Sequence, residues 1–385
     1  MMETQSSKTR ILVLGGYGRV GQEVARYLFN ATDLTLILSS REAKPLPGWA
    51  TPDPQARMEA LILDLFDDDA LKLACAQVDL VISCAGPSGL IGNRVALACK
   101  RVGVPLVDAG GYDPLLHSLQ QAQVKEPSPV PLVINVGLLP GLSGLFPQWL
   151  LKTLDVKQPV ETLDVCYVGR DAWSFNSAWD IINSLGGFGQ DRGFCYLSRQ
   201  DVIRVPMRES MRKVSFPKPI GNASTMLIYS EEIARLAREW QIGTTRVYGA
   251  NIGPRAALVC MLAKILGFHR TPKAVTRGAR WLVGASARDM RKHSPAYGIR
   301  VDLRYCGGRT ASAILTLADT YRATGTVIGI TAHQLLDEGG PGPGVFMLHE
   351  AIEPERFMQC LQAQGLVEVV NGADVSKVDL AGVMA

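Results

Sequence analysis

The chain is defined first by what it lacks. Its eight cysteines form no Cys-x-x-Cys pair and no metal-ligand spacing, so neither a zinc module nor a disulfide framework is expected. The thiols read instead as reduced, small hydrophobes. Histidine is scarce, with five residues, and no Ser-His-Asp or Cys-His arrangement points to a nucleophilic hydrolase. The net charge of +4 is spread along the chain without a basic run, which gives no reason to expect nucleic acid. No apolar segment approaches the roughly 18 residues of a membrane span. The first residues, MMETQSSKTR, are polar and lack the apolar centre of a signal peptide, so a cytoplasmic protein is expected. No internal repeat or low-complexity tract is visible.

What is present is an ordinary globular composition, 47% hydrophobic and 20% charged, over 385 residues. That length predicts two domains. The first is organised by Arg10 to Gly21, RILVLGGYGRVG. An apolar run, Ile11 to Leu14, enters Gly16-x-Gly18-x-x-Gly21, and Val24, Ala25, Leu28 and Phe29 follow at helical spacing. A buried strand, a glycine turn and a helix form the dinucleotide-binding fingerprint. Gly16 allows the tight turn, Gly18 admits a pyrophosphate to the backbone, and Gly21 lets helix and strand pack closely. Tyr17, Arg19 and Val20 complete the cofactor turn.

A second strand, Leu34 to Leu38, ends in Ser39, Ser40 and Arg41. An NAD-specific fold places an acid here to hold the ribose hydroxyls. Two hydroxyls and a guanidinium suit the 2′-phosphate of NADPH instead. The alternative is a solvated loop arginine, with Glu42 as a late acid. Strands follow at Ala60 to Leu63, Asp79 to Cys84, Pro105 to Asp108 and Pro131 to Val136. Asp64, after the third, either touches the adenine or caps a turn. Cys84, Ala85, Gly86 and Pro87 form a small-residue loop over which a cofactor can cross. Alternation of strands and helices predicts an α/β, Rossmann-type doubly wound parallel sheet, with these loops along one edge.

The order GGYGRVG, SSRE, the Cys84 to Gly89 loop and GLLPGLSGL resembles the saccharopine dehydrogenase/reductase family. The last turn matches that family's G-L-D-P-G-[IL]-x-x-L at Gly137, Leu138, Pro140, Gly141, Leu142 and Leu145. Leu139 replaces the aspartate. The resemblance implies a Rossmann domain at 1–145 and an α+β substrate and dimerisation domain at 146–343. It also implies a C-terminal segment, 344–385, that packs back on the first domain. Strand-like runs at Asp201 to Val205, Arg246 to Ala250, Tyr297 to Tyr305 and Ala311 to Leu317 predict an antiparallel second sheet with helices on one face. Ser174 to Trp179, SFNSAW, looks like the family segment that lines the substrate cleft. Trp173, Asn176, Trp179 and Leu139 are therefore candidate substrate contacts; the alternative is an aromatic core.

The resemblance implies hydride transfer at a C–N bond. A general acid must then serve the nitrogen, and the candidates are Asp108, Tyr112, His117 and Tyr167. Each also has a structural alternative, as a cap, a helix-surface residue or a packing residue. His333 and the His349–Glu350 pair read as structural. The missing aspartate and the aromatic stretch resemble thiazolinyl imine reductases of the enantiopyochelin type. The expectation is NADPH-dependent reduction of a thiazoline to a thiazolidine in siderophore synthesis, on a substrate carried by a carrier protein, by a homodimer. A saccharopine- or opine-type reductase is the alternative, with Arg170, Arg192 and Arg199 available for two carboxylates. An NADP(H)-binding redox sensor without turnover is the third possibility.

Overall fold

The computed structural model describes residues 9–50, 57–110, 113–154, 158–186, 192–337 and 340–372. In chain order its strands are β1 (Arg10–Leu14), β2 (Thr35–Ser40), β3 (Met58–Ile62), β4 (Leu80–Ser83), β5 (Leu106–Asp108), β6 (Pro131–Ile134), β7 (Val160–Arg170), β8 (Phe194–Ser198), β9 (Asp201–Val205), β10 (Met211–Ser215), β11 (Asn222–Leu227), β12 (Thr244–Asn251), β13 (Ala296–Tyr305), β14 (Thr310–Leu317), β15 (Gly344–Met347) and β16 (Val367–Gly372). Helix α1 spans Arg19–Ala31. The chain divides into two compact units, Met1–Leu142 with Tyr321–Glu353, and Ser143–Thr320 with Pro354–Ala385.

The first unit is the expected α/β fold. Its seven strands run in the order β15-β6-β5-β4-β1-β2-β3, and each neighbouring pair is parallel. A parallel sheet buried on both faces needs continuous apolar strands. Ile11 to Leu14 and Leu80 to Ile82 supply them and are fully buried. Val24, Ala25 and Leu28 form the buried stripe of α1.

The first unit leaves off at Leu142, near the boundary expected at 145, and resumes at Tyr321, well before the one expected at 343. The helix Thr320–Asp337 belongs to the first unit from Tyr321 onward. Its Gly325 and Gly329 lie one turn apart on one face. A Cβ on Gly325 would sit 2.5 Å from Glu23 Cβ, and one on Gly329 2.3 Å from the Tyr27 ring. These two glycines let the helix approach α1 at backbone distance. β15 then pairs with β6. The segment 344–385 does not return as one piece, because β16 pairs with β14 in the second unit.

The second unit holds a nine-stranded sheet with the main path β10-β11-β12-β7-β13-β14-β16. β8 pairs with β12 and β9. The sheet is mixed rather than antiparallel, since β7 and β12 run parallel. A long crossover that includes the helix Glu231–Glu239 makes that pairing possible. The helices Phe175–Ser184, Pro254–Ile265 and Pro272–Asp289 share a core of Ala178, Trp179, Ile182, Ala263 and Leu282.

Candidate functional site

The site begins where β1 ends. Gly15 adopts a left-handed backbone, φ +69°, which glycine reaches without strain. The tight turn therefore falls on Gly15 and not on Gly16, as the spacing alone suggested. Gly16 is constrained by space: a Cβ there would lie 3.0 Å from Leu38 Cβ. The Gly18 N–H donates to Gly15 O at 2.9 Å, and Gly18 O accepts from the Gln22 N–H at 2.9 Å. A Cβ on Gly21 would stand 2.3 Å from Gly15 O and 2.8 Å from Gly16 Cα. Only glycine lets α1 start this close to the strand.

Gly18 caps α1 with no side chain, and the first turn contains no acid. The N–H groups of that turn and the positive end of the helix dipole form an anion site. Gly18 and Arg19 are exposed and Val20 is half-buried at this turn. The Arg19 guanidinium lies 3.4 Å from the Tyr321 ring centroid. That stacking holds its head beside the helix Thr320–Asp337. Tyr17 ties the turn to the segment after β2, its hydroxyl donating to Lys44 O at 3.3 Å. The Lys44 ammonium lies 5.6 Å from its ring.

At the end of β2 the three expected 2′-phosphate residues separate. Ser39 is 2% exposed, and the Ser40 hydroxyl donates to Glu42 O at 2.5 Å. Arg41 is the exposed one. The expectation of two serine donors is thus corrected: the strand buries the first and its own backbone engages the second. Asp64 is exposed just after β3. Its Oδ1 accepts the Phe66 N–H at 3.0 Å, so it caps the turn after β3.

The end of β4 borders the glycine turn. The Cys84 N–H donates to Leu14 O at 2.9 Å, and a Cβ on Gly15 would lie 3.1 Å from Ala85 Cα. Burial, and then the neighbouring Asp108 carboxylate, push the Cys84 thiol far above its ordinary range. It is a neutral wall, not a nucleophile. Gly86 and Pro87 continue this wall through a cis peptide bond. Asp108, at the end of β5, is buried and its Oδ1 accepts the Gly110 N–H at 2.7 Å. His117 is half-buried in the helix Asp113–Lys125. Tyr112 lies outside the described residues.

After β6 the chain turns sharply. Gly141 has φ +125°, a Cβ on it would meet Gly137 O at 2.3 Å, and the Leu142 N–H donates to Gly137 O at 2.8 Å. This turn leaves Leu139 47% exposed. Right-handed crossovers place the ends of β1, β2, β4, β5 and β6 on one edge of the sheet. The glycine turn, Arg41, Asp108 and Leu139 therefore share that edge.

The second-unit candidates behave differently. Tyr167 is 2% exposed on β7, and burial above all, with the nearby Glu232 carboxylate adding to it, raises its phenol well above the ordinary value. A phenol so placed keeps its proton. Trp179 is 3% exposed in the helical core and its Nε1 donates to Thr276 Oγ1 at 3.2 Å. Trp173 is partly buried against that core, while Asn176 is exposed. Of the aromatic stretch Trp179 is core, because its helix must bury a face against two others, while Phe175 is 40% exposed. Arg170 donates to Ser294 O and Pro219 O. Arg192 stacks 3.6 Å from the Tyr229 ring centroid, and Arg199 occupies the turn between β8 and β9. Each of the first two has a structural partner, and the three are not brought together as a clamp.

One buried pair carried no sequence signal. Glu232 is 1% exposed, and Ser143 Oγ donates to its Oε2 at 2.6 Å. A Cβ on Gly144 would fall 2.5 Å from Glu232 Cδ. Ser143-Gly144 in the GLLPGLSGL turn is thus small because a carboxylate from the helix Glu231–Glu239 occupies that space. Among the described residues no group of histidine, cysteine and acid side chains can hold a metal ion. No described helix is long and apolar enough to cross a membrane.

Residues 11–127 match the family of saccharopine dehydrogenase NADP binding domains. The first unit is an NADP-binding domain. The glycine cradle fits the pyrophosphate, and the exposed Arg41 fits the 2′-phosphate. Among solved structures, saccharopine dehydrogenase (L-Glu forming) from Saccharomyces cerevisiae matches 95% of this chain and 100% of its own, with TM-score 0.64 and 15% identity. At that identity the match shows a shared fold. Uronate dehydrogenase from Agrobacterium tumefaciens matches 33% of this chain and 60% of its own, with TM-score 0.26 and 17% identity. No curated protein matches the sequence.

Proposed function

We propose that the protein is an NADPH-dependent oxidoreductase that reduces a C=N bond. The substrate we favour is a thiazoline, reduced to a thiazolidine while tethered to a carrier protein in siderophore synthesis. The observation that carries the choice is Leu139. Its exposed apolar side chain stands at the cofactor edge where the resembling family has an aspartate. An apolar contact suits a thiazoline ring better than the charged ends of an amino acid.

NADPH, when bound, would supply the hydride that reduces an imine carbon. The chain's own part is to hold and orient. The first turn of α1 receives the pyrophosphate, Arg41 the 2′-phosphate, and the neutral Cys84 to Pro87 wall keeps competing charge away. Leu139 would offer the reacting ring an apolar contact. A proton must reach the nitrogen, and Asp108 and His117 are the described candidates at this edge.

A saccharopine-type reaction, joining an amine to a keto acid, is supported by the whole-chain likeness to a saccharopine dehydrogenase. Against it, Arg170 and Arg192 are held by structural partners. Nicotinamide absorbance decides between them. NADPH is followed with a hydroxyphenyl-thiazoline thioester mimic and, separately, with a keto acid plus lysine. Consumption with the thiazoline alone is expected. Turnover only with the keto acid and amine would replace the substrate. Tight NADPH binding without turnover on either would leave a redox sensor.

A further inference from the structure

One face of the second sheet carries a cavity of about 550 Å³ whose charged lining is Arg212, Arg246, Arg300, Arg304, Asp164 and Asp302. Strand register explains this grouping. Asp164 on β7 stands directly opposite Asp302 on β13. Arg246 flanks Asp164 from β12, and Ser312 flanks Asp302 from β14. In the adjacent row on the same face, Thr162, Arg304 and Thr310 are in register. Like charges directly opposed across a strand pair repel, so the two aspartates require cations.

They have more than they require. Arg212 places Nη1 2.5 Å from Asp164 Oδ2 and Nη2 3.7 Å from Asp302 Oδ2. Arg300 Nη2 lies 2.9 Å from Asp302 Oδ1, and Arg246 Nη1 3.3 Å from Asp164 Oδ1. Four lining arginines face two lining aspartates and, at the rim, the Glu161 carboxylate, which leaves a surplus of one positive charge along the cavity. Glu161 reaches Arg304 at 3.0 Å from outside the lining, where it is half exposed. Each guanidinium presents five N–H donors in a rigid fork. The ion pairs use only part of that supply, and the hydroxyls of Thr162, Thr310 and Ser312 stand beside it.

We propose that this cavity binds a small dianion, a phosphate ester or a dicarboxylate, on residues of the second unit alone. The volume suits a small metabolite. A second copy of the chain suits the face less well, since a twofold contact would oppose the same positive surplus to itself. The site lies outside the cofactor cradle, so the proposal stands whichever substrate the enzyme reduces.

The test titrates the full chain, saturated with NADPH so that its phosphate cradle is filled. Glycerol 3-phosphate and succinate are added separately at constant ionic strength and followed calorimetrically. Saturable binding of either is expected, and whichever binds identifies the anion's source. In Arg246→Gln/Arg304→Gln that binding should weaken by at least about tenfold, the loss expected when charge-assisted pairs are removed. Arg246→Lys/Arg304→Lys, which keeps charge but loses the fork, should fall between. Arg304→Gln alone, the most exposed position, repeats the test if the double variant does not fold. Absence of saturable binding with both probes, or equal binding by native and variant chains, overturns the proposal. A dimer that the Arg246→Gln/Arg304→Gln variant dissociates would overturn it too, by making this face an interface.

Discussion

The two sheets use their strands in opposite ways. In the first unit the central strands are apolar and buried, and the candidate site residues stand at the strand ends. The glycine turn after β1, Arg41 after β2, Cys84 after β4 and Asp108 at the end of β5 are all end positions. In the second unit the chemistry stands on a face: Asp164, Arg246, Arg300 and Asp302 are strand-interior residues. A buried parallel sheet can offer only its edge to a ligand, whereas a mixed sheet that leaves part of a face open can present a surface there. The difference predicts where substitutions hurt.

At neutral pH the largest effect should come from Gly21→Ala. A methyl 2.3 Å from Gly15 O must push α1 away from β1, costing about 3 kcal/mol of overpacking and on the order of a hundredfold in NADPH affinity. Calorimetry of binding and thermal unfolding check it. A variant that binds NADPH as the native chain does would break the strand-end account.

Ser143→Ala comes next. It strips a hydrogen bond from the buried Glu232 carboxylate, and about 2 kcal/mol of stability should be lost. Its NADPH affinity should stay near native, because Ser143 is not part of the cradle. Chemical denaturation paired with cofactor titration separates the two.

Alkaline pH should weaken the second sheet through its own strands. Burial pushes the Cys166 thiol on β7 up to about 12 from an ordinary 9. Its folded pKa is raised, so its contribution is complete below about pH 9. Between about pH 9 and 12 the unfolded chain loses that proton while the folded chain keeps it. Stability then falls by about 1.4 kcal/mol per pH unit. Cys166→Ala should flatten part of that slope in denaturant midpoints recorded across the range.

The fold of the first unit was legible because its signals are local. An apolar run into Gly16, Gly18 and Gly21, followed by helical spacing, needs no partner from elsewhere in the chain. Gly15 was missed although the Gly-Gly doublet was visible: the fingerprint specifies spacing, and backbone φ decides which glycine turns. The resumption of the first unit at Tyr321 was hidden for a long-range reason. Gly325 and Gly329 read as ordinary helix residues until Glu23 and Tyr27 are found against them. Trp179 reads as a cleft residue and Glu232 carries no signal at all, since burial against another helix or a distant serine leaves no periodic trace. Site chemistry at strand ends could be read along the chain. Chemistry on the second face depended on register between strands far apart in sequence.

The smallest expected change is also the most direct test of the central claim, that the first unit is an NADP cradle discriminating through Arg41. Dissociation constants for NADPH and NADH are measured on the native chain and on Arg41→Ala. The native chain should prefer NADPH by at least about tenfold, the worth of one charge-assisted phosphate pair. Arg41→Ala should lose that preference while keeping its NADH affinity. Equal affinity for both nucleotides in the native chain, or an unchanged preference in Arg41→Ala, would contradict the account.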